Sequence, residues 1–223
     1  HYNTTASNNT AVGYQAAYSN TTGLQITAIG YRALYSNTGV GAANTATGYE
    51  TLYSNTTGQF NSALGRQALY SNTTASNNTA VGYQAAYTNT TGSSLVAMGH
   101  TALRQNSTGS SNVASGYAAM YSNTTGSSNT GLGHNALHLN TTADNNTAVG
   151  ALAAYSNTTG SENSAFGKEA LKFNTTGYYN AAFGHNAMRD NTEGFENSAF
   201  GMVALLENTT GDYNTALGTR ALQ

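Results

Sequence analysis

The stretch NTAVGYQA runs from Asn78 to Ala85 and occurs again, unchanged, from Asn9 to Ala16. Looser copies fill the rest of the chain, and each has a glycine in the place of Gly82. The glycines follow one another at intervals of 17 residues, except for one interval of 18 between Gly30 and Gly48. A constant short interval is typical of repeat proteins, so the fold has to be inferred from the repeat rather than from a single motif.

Thirteen repeats with the consensus N-T-A-Φ-G-Y-x-A-L-Y-S-N-T-T-G-x-x, where Φ is apolar, account for the 223 residues. We call the repeated glycines the glycine column: Gly13, Gly30, Gly48, Gly65, Gly82, Gly99, Gly116, Gly133, Gly150, Gly167, Gly184, Gly201 and Gly218. Because the repeats leave no linker between them, the sequence predicts one domain, residues 1–223, built as a single repeat array. The chain starts and stops within a repeat, and we expect it to be a window from a longer fibre.

The length of the repeat predicts the architecture. Seventeen residues are too few for helical-hairpin repeats of about 33 residues or for leucine-rich repeats of about 20. They suit one coil of a β-solenoid, in which short strands are joined by turns rich in glycine and asparagine. Each residue then lies about 4.8 Å from its counterpart in the next coil. The sequence therefore predicts an all-β fold, a parallel β-solenoid or β-roll of about thirteen 17-residue coils.

Small and apolar columns indicate which residues face inward. Alanine stands two residues before the glycine in every repeat but one, and three residues after it in every repeat but one. We interpret this Ala-Gly-Ala pattern as a narrow coil interior. The apolar Φ residue would then lie on the opposite face of its strand, as an exposed stripe that sister chains would cover. In the alternative interpretation, Φ and leucine fill a wider interior and the solenoid is monomeric.

One asparagine column, which we call the turn asparagines, is occupied in all thirteen repeats. In eleven repeats a threonine two residues later completes the glycosylation acceptor N-x-T. These candidate N-glycosylation sites are Asn3, Asn20, Asn55, Asn72, Asn89, Asn106, Asn123, Asn140, Asn157, Asn174 and Asn208. Asn37 and Asn191 lack the threonine, so we expect a structural role first: a left-handed turn residue whose amide bonds from coil to coil. Asn8, Asn77 and Asn145 add three N-N-T acceptors.

Composition argues against several classes of partner. Only 7% of the residues are charged and the net charge is −2, which gives no electrostatic reason to bind nucleic acid or an acidic membrane. No apolar run approaches the roughly 20 residues that span a bilayer, so we expect no membrane insertion in this segment. The chain has no cysteine, and therefore no disulfide can indicate the redox compartment.

Residues that could support catalysis or bind a metal form no recognisable motif. His100, His134 and His185 share the column after the glycine, and His138 follows His134 closely without a carboxylate nearby, which is too little for a zinc site. We interpret the histidines in this column as flat, outward replacements for tyrosine. Seven of the nine acidic residues follow residue 160 and alternate with basic ones, which indicates a solvated surface. The sequence predicts no enzyme activity, no metal site and no cofactor.

The block NTAVGYQA resembles the head repeats of trimeric autotransporter adhesins, and similar repeats occur in phage tail-fibre-like proteins. The resemblance implies a left-handed parallel β-roll in which three chains pack together. The coil of that family is shorter, so YSNTTG is interpreted here as a lengthened turn. VGYQAA, from Val12 to Ala17, also fits one hexapeptide of the left-handed acyltransferase helix, although the other hexapeptides of each coil are degraded.

The repeat and the resemblance together predict an extracellular structural fibre on a cell or virion surface: the shaft or head of an adhesin, a filament or a tail fibre. The expected partners are copies of the same chain, as a homotrimer or an end-to-end filament, and beyond them a host surface, matrix or glycans. The alternative is an ice-binding protein that uses its asparagine and threonine ladders.

Overall fold

The computed structural model describes residues 5–39 and 42–223, which contain thirteen β-strands of three residues each and no helix. The chain forms two compact units, His1–Ser111 and Asn112–Gln223. In both units every strand lies immediately before a residue of the glycine column. The strands of each unit pair in parallel with the strands of the neighbouring coils.

The first unit has six strands that pair in chain order. They are β1 (Thr10–Val12), β2 (Thr27–Ile29), β3 (Thr45–Thr47), β4 (Ser62–Leu64), β5 (Thr79–Val81) and β6 (Val96–Met98). The register places equivalent residues side by side, so that Ala63 is opposite Ala80 and Leu64 is opposite Val81. The repeats are therefore stacked coils, and the columns of the sequence are columns in space.

The second unit has seven strands with the same pairing. They are β7 (Val113–Ser115), β8 (Thr130–Leu132), β9 (Thr147–Val149), β10 (Ser164–Phe166), β11 (Ala181–Phe183), β12 (Ser198–Phe200) and β13 (Thr215–Leu217). Here Ala165 is opposite Ala182, and Phe166 is opposite Phe183. The prediction of an all-β parallel β-solenoid with a coil of about 17 residues is confirmed.

The interior of each coil is filled by alanine and by what we call the inner leucine column, the residues four positions after each glycine. Ala63, Ala68 and Leu69 are buried, whereas Leu64, the Φ residue of the same region, is 51% exposed. This difference confirms that Φ lies on the outer face of the strand. It also rules out the wider interior that would have contained both Φ and leucine.

The glycine column is not part of the interior, contrary to the Ala-Gly-Ala interpretation. Gly65 is half-buried at the end of its strand and has a φ of +128°. A Cβ on Gly65 would lie 2.5 Å from the carbonyl oxygen of Gly82 in the next coil, whereas one on Gly218, in the last repeat, would meet nothing within 4 Å. Glycine is therefore required where coils stack, because the two backbones approach too closely for a side chain.

Left-handed residues occur at three further places in each coil, and they are not glycines. In the coil that contains Gly82 they are Gln84 (φ 51°), Ala86 (φ 50°) and Ser94 (φ 59°). None of the turn asparagines that the structure describes is among these residues, so the expectation that they adopt the left-handed conformation is wrong. Their regularity has a different cause, which lies in their side chains.

Candidate functional site

The turn asparagines form a ladder of amides inside the coils. Asn89 Nδ2 donates to Asn72 Oδ1 at 3.0 Å and to the carbonyl oxygen of Gly92 at 2.9 Å. Asn89 Oδ1 in turn accepts a hydrogen bond from Asn106 Nδ2 at 2.9 Å. The second unit contains a ladder of the same kind, in which Asn157 Nδ2 donates to Asn140 Oδ1 at 2.9 Å. The predicted coil-to-coil bonding of stacked amides is confirmed.

This ladder bears directly on the candidate glycosylation sites. The buried ones are Asn20, Asn55, Asn72, Asn89, Asn106, Asn123, Asn140, Asn157 and Asn174, while Asn208 is half-buried; Asn3 lies outside the described residues. A sugar on a ladder Nδ2 would replace a hydrogen-bond donor and would need space where the next coil lies. The geometry therefore favours the structural role of these residues over glycosylation.

A second amide ladder, which we did not predict, lies just before the strands. Asn61 Nδ2 donates to the carbonyl oxygen of Ala75 at 2.9 Å, and Asn61 Oδ1 accepts from the backbone N–H of Asn78 at 3.1 Å. We call these residues the pre-strand asparagines. The sequence contained a signal for them, because asparagine fills this column in every repeat except at Ile26 and Leu95. Both ladders satisfy buried backbone groups that the short strands leave unpaired.

The outer face of the strands carries what we call the outer stripe, the Φ residue before each glycine. Its most exposed large members are Val12, Ile29, Leu64, Met98, Phe166, Phe200 and Leu217, which are between 36% and 80% exposed. The chain has seven basic and nine acidic residues, and none of them lies in a strand. The outer face is therefore apolar and hydroxyl-bearing, with no charge of its own.

The stripe of the first unit is interrupted at Thr47, where a small polar residue follows Ile29 and precedes Leu64. A shallow concavity of about 190 Å³ opens on the outer face at this point. Its lining residues are Thr45, Thr47, Ser62, Ala63, Leu64, Thr79 and Val81. The lining is made of apolar and hydroxyl-bearing side chains and contains no titratable group.

Two columns of stacked aromatic rings cover the turn that follows each strand. In the first, Tyr14 stacks on Tyr31 with ring centroids 5.4 Å apart. In the second, centroid separations are 5.1–5.2 Å along Tyr18, Tyr35, Tyr53, Tyr70 and Tyr87. Stacked rings contribute roughly 0.5–1.5 kcal/mol per pair beyond burial, so these columns stabilise the coil from outside as the amides do from inside.

The histidines stand within these aromatic columns. His100 stacks on Tyr83 at 5.0 Å, and His134 stacks on Tyr117 at 5.3 Å. His138 belongs to the other column and stacks on Tyr155 at 5.2 Å. The interpretation of the column histidines as flat replacements for tyrosine is confirmed for His100 and His134, and His185 in the same column is exposed. Within the described residues, no group of three or more His, Asp or Glu side chains could hold a metal ion.

A polar column runs beside the rings in the first unit. Gln67 Nε2 donates to Glu50 Oε2 at 3.1 Å, and Gln84 Nε2 donates to Gln67 Oε1 at 2.9 Å. Arg104 Nε extends the series by donating to Gln84 Oε1 at 2.9 Å. These outward side chains bond mainly to their counterparts in neighbouring coils, which is a structural role.

Acidic residues of the second unit act on neighbouring tyrosine phenols. The negative charge of Glu162 raises the pKa of the Tyr179 phenol, and Glu196 acts in the same direction. Glu196 also raises the pKa of Tyr213. A phenol whose pKa is raised keeps its proton at neutral pH and is a poor nucleophile. This column therefore offers hydrogen-bonding groups on a solvated surface.

The described residues present three regular surfaces: the outer stripe, the aromatic columns and the exposed turns. Among the described residues there is no helix long and apolar enough to cross a membrane. Comparison with protein families, with curated proteins and with solved structures finds no match to this chain.

Proposed function

We propose that this chain is the shaft or head of an extracellular structural fibre on a cell or virion surface, without catalytic activity, and that it associates with copies of itself. One observation carries the proposal: the outer stripe is exposed on strands that contain no charged residue. Exposed apolar surface of this kind marks interaction sites in soluble proteins. The resemblance to adhesin head repeats supports a homotrimer, and an end-to-end filament is the other arrangement.

A second copy fits the stripe better than an unrelated partner, because its coils have the same spacing. Two sheets that pack face to face lie about 10 Å apart and interdigitate their side chains. Identical columns can then match coil for coil along the whole sheet. Burying a large apolar side chain completely contributes about 1.5–3 kcal/mol, so several partly exposed stripe residues are enough to make association measurable.

The test is to place charges in the stripe. Replacing Ile29, Val81 and Val149 with aspartate should convert an oligomer into a monomer in analytical ultracentrifugation, while the β-type circular dichroism stays unchanged. Gln25, Ser94 and Ser128 are exposed residues away from the strands, and their replacement with aspartate is the matched control. A monomeric wild-type chain would overturn self-association, and a stripe variant that remains oligomeric would show that association does not use the stripe.

Ice binding is the second candidate, and one feature favours it. The threonines two residues after the turn asparagines, such as Thr57, Thr74 and Thr91, are exposed at one per coil. The turn asparagines themselves are buried. The exposed array therefore consists of the threonine hydroxyls alone and is narrower than the expected surface of asparagine and threonine. Thermal hysteresis at micromolar protein would put ice binding ahead of the fibre.

A further inference from the structure

The three N-N-T acceptors differ from the turn asparagines in every respect that matters for modification. Asn8, Asn77 and Asn145 are exposed and left-handed, with φ of 59°, 61° and 58°. Within the described residues their side chains make no hydrogen bond. By contrast, Nδ2 of a turn asparagine such as Asn89 is buried and donates to two acceptors at 2.9–3.0 Å.

We propose that Asn8, Asn77 and Asn145 are the N-linked glycan acceptors of this chain and that the buried turn asparagines, despite their N-x-T motifs, are not. In the reaction, Nδ2 attacks the anomeric carbon of a sugar activated by a diphosphate. The C–N bond forms, the bond from carbon to the diphosphate oxygen breaks, the diphosphate leaves, and the amide loses one proton. This inference rests on the proposed extracellular fibre, because a surface fibre would meet glycosylation machinery.

The threonines of the three motifs are placed for recognition as well. Thr10, Thr79 and Thr147 are the first residues of β1, β5 and β9. Thr79 and Thr147 are half-buried and Thr10 is exposed, and all three lie on the outer face of the strand, as Φ does. The acceptor amide and the threonine are therefore both at the surface, whereas in the turn motif only the threonine is.

The spacing of the three sites suits bulky substituents. Asn8 and Asn77 are 69 residues apart and Asn77 and Asn145 are 68 apart, which is four coils in each case. Within the first unit, four coils correspond to roughly 19 Å at about 4.8 Å per coil. Sugars on every coil would collide, and sugars on every fourth coil would not. On one side Asn77 and Asn145 each have a small neighbour in the column, Ser94 after Asn77 and Ser128 before Asn145, while Phe60 and Glu162 lie on the other side.

The experiment uses the folded chain, a soluble N-glycosyltransferase that recognises N-x-S/T, and UDP-glucose as the sugar donor. Two peptides, residues 75–82 and 85–92, serve as unfolded references, and both should accept glucose. Apart from the motifs at Asn3 and at the half-buried Asn208, the folded chain should gain at most three hexoses, which peptide mapping should locate at Asn8, Asn77 and Asn145. The variant Asn77→Gln should gain one hexose fewer than the wild type.

Two results would overturn the inference: glucose on Asn89 or another buried turn asparagine of the folded chain, or no glucose on the folded chain although the 75–82 peptide accepts it. In chain secreted by its own host, a mass unchanged by glycosidase and equal to that of the bare polypeptide would overturn it too. Ultracentrifugation of the unmodified chain tests self-association separately, so failure of the glycan sites and failure of the fibre are distinguishable.

Discussion

The inner and outer columns of the solenoid follow different rules, although they alternate along the same chain. Inside, the turn asparagines are unvaried over all thirteen repeats, strand alanine is replaced only at Gly131, and the inner leucine column contains only Leu, Met and Ala. Outside, the stripe includes Val, Ile, Leu, Met, Phe, Thr and Ser. An inner residue has to bond or pack against its own copy in each neighbouring coil, so a change disturbs two interfaces. An outer residue contacts solvent or a partner, so it can vary without disturbing the coil. The variable outer residues can therefore determine binding specificity.

The largest effect should come from the inner leucine column. Leu69 is fully buried, and Leu69→Ala should lower the free energy of unfolding by about 2–5 kcal/mol, because it removes packed methyl groups and leaves a cavity. Leu64→Ala, on the outer stripe, should cost less than about 0.5 kcal/mol in the monomer. Urea unfolding followed by circular dichroism measures both. Equal losses would show that the stripe is as tightly packed as the interior.

The two classes of asparagine give the next test. Asn89→Ala removes three buried hydrogen bonds: the two that Asn89 Nδ2 donates and the one that Asn89 Oδ1 accepts from Asn106 Nδ2. Asn78 Nδ2 still donates to the Gly92 carbonyl. We expect a loss of about 2–3 kcal/mol, since each buried hydrogen bond contributes about 0.5–1.5 kcal/mol net. Asn77→Ala should cost about 1 kcal/mol or less, because it loses only the tolerance of asparagine for the left-handed conformation. Thermal unfolding of the two variants, purified without glycans, should reproduce this order; the reverse order would contradict the ladder.

The sequence was sufficient to predict the fold because the stacking of coils makes each column visible as a repeat. The period predicted the solenoid, and alternation along the strand correctly placed alanine inside and Φ outside. Alternation along the strand could not predict whether Asn89 is buried, because Asn89 lies in a turn. The sequence N-T-T is equally compatible with a buried amide of the ladder and with an exposed glycosylation site. Nor did alternation reveal the left-handed backbone at Gln84 and Ala86, residue types that carry no such preference. The stacking of coils imposes the left-handed conformation on these residues. Their local preference for other conformations is too weak to change the fold.

A residue that tolerates a positive φ should therefore stabilise the fold when it replaces the natural residue at a left-handed position. This is the smallest effect that we predict. Ser94 is exposed, has a φ of 59° and occupies the same column as Asn77. Asparagine tolerates this conformation better than serine because its side chain can bond locally. Ser94→Asn should therefore raise the free energy of unfolding by up to about 0.5 kcal/mol, the range of surface substitutions. Thr57→Asn, an exposed turn residue without a positive φ, is the control and should be neutral. An equal rise in melting temperature for both variants would contradict this prediction. The gain would then come from the added amide group and not from relief of the left-handed backbone conformation.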